Sequence, residues 1–169
     1  MEIERKWLIK PEKIPYDLSA LERERIEQSY VSFYPTIRIR KINDEQYVLT
    51  VKTKPESAEG QLARNEYEMP LSRAEYESLE RQRKGGIVAK TRYLHPVGKL
   101  TEEIDIFSGE LEGLAYLEIE FPDEQSAESY PDPSWVEKDV SCDYRYKNST
   151  LAEKECRYKT QKSTHRVLF

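Results

Sequence analysis

Apolar and polar residues alternate with a period of two along most of this chain, the repeat of a half-buried β-strand. Residues 1–10 (MEIERKWLIK) alternate, and so do residues 45–54 (EQYVLTVKTK). Residues 26–34 (IEQSYVSFY) and 36–42 (TIRIRKI) predict a strand pair broken at Pro35. Further strands are expected at 62–69, 87–95, 100–107 and 114–121, with a hairpin turn at Pro96-Val97-Gly98-Lys99. The period changes at Ser72. Ser72 and Glu75 give the S-x-x-E capping signature, and AEYESLERQRK reads as a helix ending at Gly85-Gly86. A short helix is expected over 123–130, before the turn PDP. Ser19 with Glu22, Ser134 with Glu137 and Thr150 with Glu153 are three more candidate capping boxes, the first in a short helix between the first two strands. So many antiparallel strands in one small domain predict a barrel or a sandwich.

The 169 residues suit a single domain with a real core. Charged residues make up 35% of the chain and apolar ones 37%, and the twelve tyrosines argue against disorder. The net charge of −5 mixes both signs, without the basic excess of a general nucleic-acid binder. No apolar run has the length of a membrane span. Glu2 and Glu4 stand where a signal peptide would be basic and then apolar. Cys142 and Cys156 lack metal-type spacing and read as free thiols of a reducing cytoplasm. His95 and His165 are too isolated for a histidine-based metal site.

The alternation carries more information once the strands are compared by face. Residues i and i+2 of a strand point the same way. Glu2, Glu4 and Lys6 share a face, as do Arg38 and Arg40, and Thr50, Lys52 and Lys54. The same holds for Arg64, Glu66 and Glu68, for Lys90 and Arg92, for Glu103 and Asp105, and for Glu118 and Glu120. A solvated outer face explains any one of these strands. It explains the set less well, because like charges side by side are destabilising unless something neutralises them. Paired carboxylates suit a divalent cation with oxygen ligands. Paired arginines and lysines suit phosphate oxygens. A barrel with its charged face inward and its apolar face packed outward against helices would gather both sets around one lumen.

The residues also resemble a known family. Glu2-Ile3-Glu4-Arg5-Lys6 is similar to the E-x-E-x-K signature of the CYTH superfamily, the triphosphate tunnel metalloenzymes. QSYVSFYPTIRIRK, TVK, RNEYE, KTRY, EEIDIF, LEIEF and DYRYKNSTLA follow in family order, so the resemblance covers residues 1 to about 152. It implies an α+β fold: an antiparallel eight-stranded β-barrel with a charged lumen and helices outside, in one domain over 1–169 with 153–169 as a C-terminal extension. Carried over by position, it makes Glu2, Glu4, Glu118 and Glu120 the principal metal carboxylates, with Asp105 a further one. Lys6, Arg38, Arg40, Lys52, Lys90, Arg92 and Lys147 become triphosphate-binding residues. Glu66, Glu68 and Glu103 are supporting acids, and Tyr30 pairs with Lys90 to activate water. Arg5, Trp7 and Lys41 lie on the opposite face and are read as structural. Cys142 departs from the glycine frequent in bacterial relatives.

The activity this implies is hydrolysis of a terminal phosphoanhydride with Mg2+ or Mn2+. The expected substrate is inorganic tripolyphosphate, giving pyrophosphate and phosphate, as in the short bacterial triphosphatases. A class IV adenylate cyclase and a thiamine or nucleoside triphosphatase are the enzymatic alternatives. A non-catalytic polyphosphate- or nucleotide-binding module is the alternative of another class, disfavoured by the intact carboxylate pairs. The expected partner is a small-molecule triphosphate, with no membrane and no general nucleic acid. A homodimer is compatible with the chain.

Overall fold

The computed structural model of the chain describes residues 2–54 and 63–154. Its strands are β1 (Glu2–Leu8), β2 (Glu22–Ser32), β3 (Thr36–Ile42), β4 (Gln46–Thr53) and β5 (Ala63–Pro70). After helix α1 (Arg73–Glu80) come β6 (Lys84–Val97), β7 (Leu100–Ser108) and β8 (Ala115–Glu120). Helix α2 (Glu124–Ser129), the two-residue β9 (Lys138–Asp139) and a helical run over 148–154 complete the described chain. The order β5-β4-β3-β2-β6-β7-β8-β1 returns from β1 to β5, closing an antiparallel ring of eight. This is the expected barrel.

The register follows from local chemistry. Asn43 and Asp44 both have positive φ, at 52° and 59°, in the turn joining β3 to β4. That turn matches the twist of two adjoining strands. It places Arg38 opposite Thr50 and Thr36 opposite Lys52. In the same way β4 sets Thr50 against Glu68 and Lys52 against Glu66. A one-residue slip would send each of these charges to the other face.

Closure is narrow. β1 meets β5 only at Glu2↔Arg64 and Ile3↔Ala63. Further along, the same strand pairs with β9 at Trp7↔Asp139 and Leu8↔Lys138. Between these seams the Lys6 N–H donates to Ser141 Oγ at 2.9 Å. β1 and β5 therefore diverge, and the segment 138–149 enters the gap between them.

Outside the ring, Ile3, Trp7, Ile104, Leu117, Ile119 and Phe121 form a buried cluster with Ala127 of α2. Removing Trp7, which is fully buried, would cost about 3–5 kcal/mol. Arg5 ties the same wall to the following chain. Its guanidinium donates to Asp132, to Asp139 and to the carbonyls of Ala127 and Tyr130, at 2.5–3.1 Å. Arg5 and Trp7 are thus structural, as their outward positions predict. α1 covers β2, β3 and β4, with Tyr76 tilted against Tyr47.

The interior is not charged throughout, which departs from the simple inward-charge expectation. Phe107 lies opposite Lys90 and Tyr116 opposite Asp105, so both share the inward face. With Tyr30, Val88 and Ala152 they form a second buried cluster, flanked by Leu8, Phe33, Tyr146 and Leu151. One end of the lumen is filled by aromatic side chains. The polar site occupies the rest.

Several local expectations change. The Ser72–Glu75 capping box is present, but α1 stops at Glu80 and Lys84 already belongs to β6. Gly85 is not a helix stop. It has φ +74°, and a Cβ there would stand 2.5 Å from the Ala152 carbonyl oxygen. Glycine permits the close approach of β6 to the 148–154 run. Asp17, not Ser19, caps the short turn before β2. Glu137 bonds Lys13 instead of capping a helix after Ser134. Position 150 falls within the last helical run, not at its start. His95 lies in β6, its Nδ1 3.0 Å from the buried Glu102 and its ring stacked on Tyr16. Cys142 is a free, exposed thiol, and Cys156 and His165 lie outside the described residues.

Gly85→Ala adds a left-handed-backbone penalty of about 1–2 kcal/mol to a clash with backbone that has little freedom to yield. Its melting temperature should fall by several degrees in a calorimetric scan, and an unchanged value would contradict this account of the contact.

Candidate active site

Two joined cavities occupy the polar part of the barrel. One, of about 470 Å³, is lined by Glu2, Glu4, Gln28, Arg38, Arg40, Lys52, Glu66, Glu68, Lys90, Arg92, Glu103, Glu118 and Glu120. The other, of about 540 Å³, shares Glu2, Glu4, Arg38 and Lys52 with it. It adds Lys6, Tyr30, Lys54, Arg64, Lys147 and Asn148, with Phe33 and Tyr34 among its other lining residues. All eight strands of the ring and the 141–149 segment supply these side chains. Of the residues assigned from the sequence to metal, phosphate, supporting-acid or catalytic roles, Asp105 alone lines neither of these cavities.

Asp105 sits beneath the site. It is fully buried. It accepts from Arg92 Nε at 2.7 Å and Arg92 Nη2 at 2.8 Å, and it is paired with the Lys90 ammonium. Both its oxygens are engaged, so in this structure it holds two cations in place from the inward face of β7 and lines neither cavity. The Tyr30–Lys90 pairing is also replaced by other contacts. The Tyr30 hydroxyl accepts from Gln28 Nε2 at 3.0 Å, and the Lys90 ammonium lies over the Phe107 ring.

The lumen is a lattice of alternating charge. Lys52 Nζ lies 2.7 Å from Glu2 and 2.9 Å from Glu66. Arg38 reaches Glu66 at 3.3 Å, and Arg40 pairs with Glu68. Lys6 lies 2.9 Å from Glu118, and Arg92 bridges Glu118, Glu103 and Asp105. Among the described residues Glu4 has a single long ion-pair contact, 3.8 Å to Lys6. Glu120 faces Glu4 across the β1–β8 pair and is exposed. Arg38 Nε and Arg40 Nε are buried with no hydrogen-bond partner among the described residues. Two buried donors of like charge, on residues that line one cavity, suit an anion with several oxygens.

Burial and neighbouring charge set the protonation states. Burial raises Glu2 to about 7 against the pull of Lys52, helped by a hydrogen bond with Glu66. Burial also opposes ionisation of Glu66, but that bond and Lys52 outweigh it and hold Glu66 near 2. Glu2 is thus the more readily protonated of the two carboxyls beside this lysine. Burial, countered by Arg92, lifts Glu103 to about 7. Burial and the charge of Glu118 raise Glu4. Glu118 is driven the other way: Lys6, Lys90 and Arg92 overcome its burial and hold it well below the usual range. Burial and Arg92 lower Lys90 despite Asp105. Burial raises Tyr30 to about 12, so its phenol stays protonated near neutrality.

Charge patterning gave Gln28 no place and set Thr50 on the charged face without a role. Gln28 is 1% exposed and holds Tyr30, and Thr50 Oγ1 joins Arg38 to Glu68. Both are uncharged. The one available signal was their place, in phase with charged residues on their own or the paired strand.

The CYTH domain family model matches residues 1–142. The chain belongs to this family. An inorganic triphosphatase of Nitrosomonas europaea is 35% identical over 159 residues, covering 89% of this chain and 96% of its own length. One of Acetivibrio thermocellus is 35% identical over 154 residues, with coverages of 90% and 93%. The crystal structure of the inorganic triphosphatase NE1496 has a TM-score of 0.64 at 29% identity, covering 90% of this chain and 95% of that one. A conserved protein of Pyrococcus furiosus, 23% identical with a TM-score of 0.57 over 76% of this chain and 83% of that one, shares the fold. No described helix is long and apolar enough to cross a membrane.

The raised carboxyls give the ligand-free protein a defined pH response. Glu2 and Glu103 titrate near 7 when folded, against 4.5 ordinarily. The folded state therefore binds more protons than the unfolded one between about 4.5 and 7, and stability falls as pH rises through that window. Urea titrations should find the wild type less stable at about pH 7.5 than at about pH 5, with a smaller difference in Glu103→Gln. The same pH dependence in both proteins would contradict the assignment.

Proposed function

We propose that this chain hydrolyses the terminal phosphoanhydride of a triphosphate, with inorganic tripolyphosphate as its substrate and pyrophosphate and phosphate as products. The observation that carries this reading is the set of inward cations around one cavity, with Arg38 Nε and Arg40 Nε left as buried donors. The two relatives named inorganic triphosphatases, similar over nearly their whole length, support the same substrate.

The donor set fits a hard divalent cation such as Mg2+ or Mn2+. Glu4 and Glu120 face each other on paired strands, with Glu118 and Glu2 nearby on the same two strands. Among the described residues no three acids stand grouped as a finished metal site, because cations hold most of them apart. Glu2, Glu4, Glu118 and Glu120 would hold the metal once those cations turn to phosphate. When bound, the metal supplies neutralisation of phosphate charge and orientation of water.

The protein's own part is positioning and charge. Arg38, Arg40, Arg92, Lys52 and Lys6 bind the phosphate oxygens, and Lys147 reaches them from the 141–149 wall. Phosphoryl transfer needs little else from a protein. Water attacks the terminal phosphorus in line. Its new P–O bond forms as the bond to the bridging oxygen breaks, and pyrophosphate leaves. The neutral form of Lys90, which burial favours, takes the proton of that water and becomes the ammonium paired with Asp105. Asp105 holds Lys90 and Arg92 at the correct depth. Tyr30 keeps its proton and, with Gln28, fixes the adjoining wall. Glu66, Glu68 and Glu103 space the cations. One domain accounts for the described residues.

A second reading has one observation in its favour. Tyr34, 91% exposed, stands on the rim of the larger cavity, where a nucleobase could stack.

Incubation with tripolyphosphate, ATP or thiamine triphosphate, with Mg2+ or Mn2+, and phosphorus NMR of the products separate these readings. Pyrophosphate and phosphate from tripolyphosphate are expected as the fastest reaction. Cyclic AMP as the main product from ATP would overturn the proposal. Arg38→Ala should lower kcat about 100-fold or more, the scale for losing one preorganised donor. Glu4→Gln and Glu118→Gln should abolish metal-dependent turnover while circular dichroism shows an intact barrel.

A further inference from the structure

The cations of the lumen have two possible sets of partners, and they cannot serve both at full strength. In the ligand-free protein Lys52 Nζ lies against both carboxylate oxygens of Glu2, at 2.9 and 2.7 Å, and 2.9 Å from Glu66. Its ammonium donates to both oxygens of Glu2 and lies at ion-pair distance from Glu66. Lys6, 2.9 Å from Glu118, repeats the arrangement on the next strand pair. These lysines are the groups that would meet phosphate. Glu2 and Glu118 are the groups that would meet metal. Each is occupied by the other.

We propose that Lys52 is an exchange residue that makes triphosphate binding and divalent-metal binding strongly cooperative in this protein. An incoming triphosphate draws Lys52 from Glu2 and Glu66 onto its own oxygens. Two acids are then left facing one cavity with their counter-charge reduced, and a divalent cation restores it. The sequence of events also runs in reverse. A metal arriving first must compete with an ammonium already held by two acids. Metal alone therefore binds weakly, and the acids stand apart until the anion is present, in line with the absence of a grouped three-acid site among the described residues. By thermodynamic reciprocity each ligand raises the other's affinity by one common factor, of order 5–150-fold. The tunnel is thereby protected from filling with metal that no substrate accompanies.

This rests on the triphosphatase reading, but its test reads binding and not turnover. Mn2+ binding to the full chain is measured by calorimetry and by the free-Mn2+ paramagnetic resonance signal. Measurements are made alone and with a triphosphate whose bridging oxygens are replaced by methylene groups. Chelation of Mn2+ by the analogue itself is measured without protein and subtracted. The analogue's own binding is then measured with and without Mn2+. We expect each ligand to tighten the other at least tenfold, by matching factors. Lys52→Gln should bind Mn2+ alone more tightly than the wild type, bind the analogue more weakly, and lose most of the coupling. Lys52→Arg, which keeps the charge, should retain it. Equal Mn2+ affinity with and without the analogue, or no gain in Lys52→Gln, overturns the proposal and leaves the triphosphatase reading standing. Absence of Mn2+ binding under every condition overturns both.

Discussion

A closed barrel cannot leave charge inside it unanswered. An isolated ion pulled from water costs several kcal/mol even after relaxation, and a pair recovers that only with good geometry. Every organising feature of this interior follows from that constraint. Lys52 lies between Glu2 and Glu66, and Arg92 between Glu103, Asp105 and Glu118. The strands that carry these groups are held in one register, because any slip would separate an acid from its base. The lattice is a set of mutual obligations among β1, β4, β5, β6, β7 and β8. It lets a ring of eight strands keep a polar centre without collapsing around it.

The apolar parts of the molecule make that lattice rigid. Outside, Trp7, Ile104, Leu117 and Ile119 bury one wall beneath α2 and the chain around Tyr130. Arg5 pins the same region through four neighbouring groups. Inside, Phe107, Tyr116 and Tyr30 close one end and give Lys90 and Lys6 aromatic surfaces to lie against, 5.6 and 5.3 Å from the ring centres. That surrounding explains why the same barrel can hold one carboxyl near 7 and another far below its usual range. Distance to a cation and depth of burial differ from strand to strand, while the residue types barely differ.

The wall between β1 and β5 has a separate origin. Two residue pairs join these strands, and the segment around Ser141, Lys147 and Asn148 lines the widened opening. A function that depends on a small anion entering the barrel gains a polar, basic rim at this seam. The exposed Tyr34 and the cation Lys54 stand on the same rim.

The sequence alone determined which residues face inward. Period-two alternation assigns faces without knowledge of neighbours, so Glu4, Lys6, Arg38, Lys52, Arg92 and Glu118 were legible as one set, and Arg5 and Trp7 as the other. The order of the strands and the existence of α1 were legible for the same reason, since both rest on local periods and caps. Partnership was not legible. Whether Asp105 meets metal or holds Lys90 and Arg92 depends on two cross-strand neighbours and on depth, neither of which is written in i and i+2. Gly85 looked like a helix stop because the 148–154 backbone that crowds it is distant in sequence. Gln28 and Thr50 carried no charge to mark them with a role, and His95 carried no local sign that Glu102 and Tyr16 would lie beside it. Faces are a property of the strand. Partners, burial and protonation are properties of the closed barrel, because only closure brings strands distant in the chain within a few ångströms of one another.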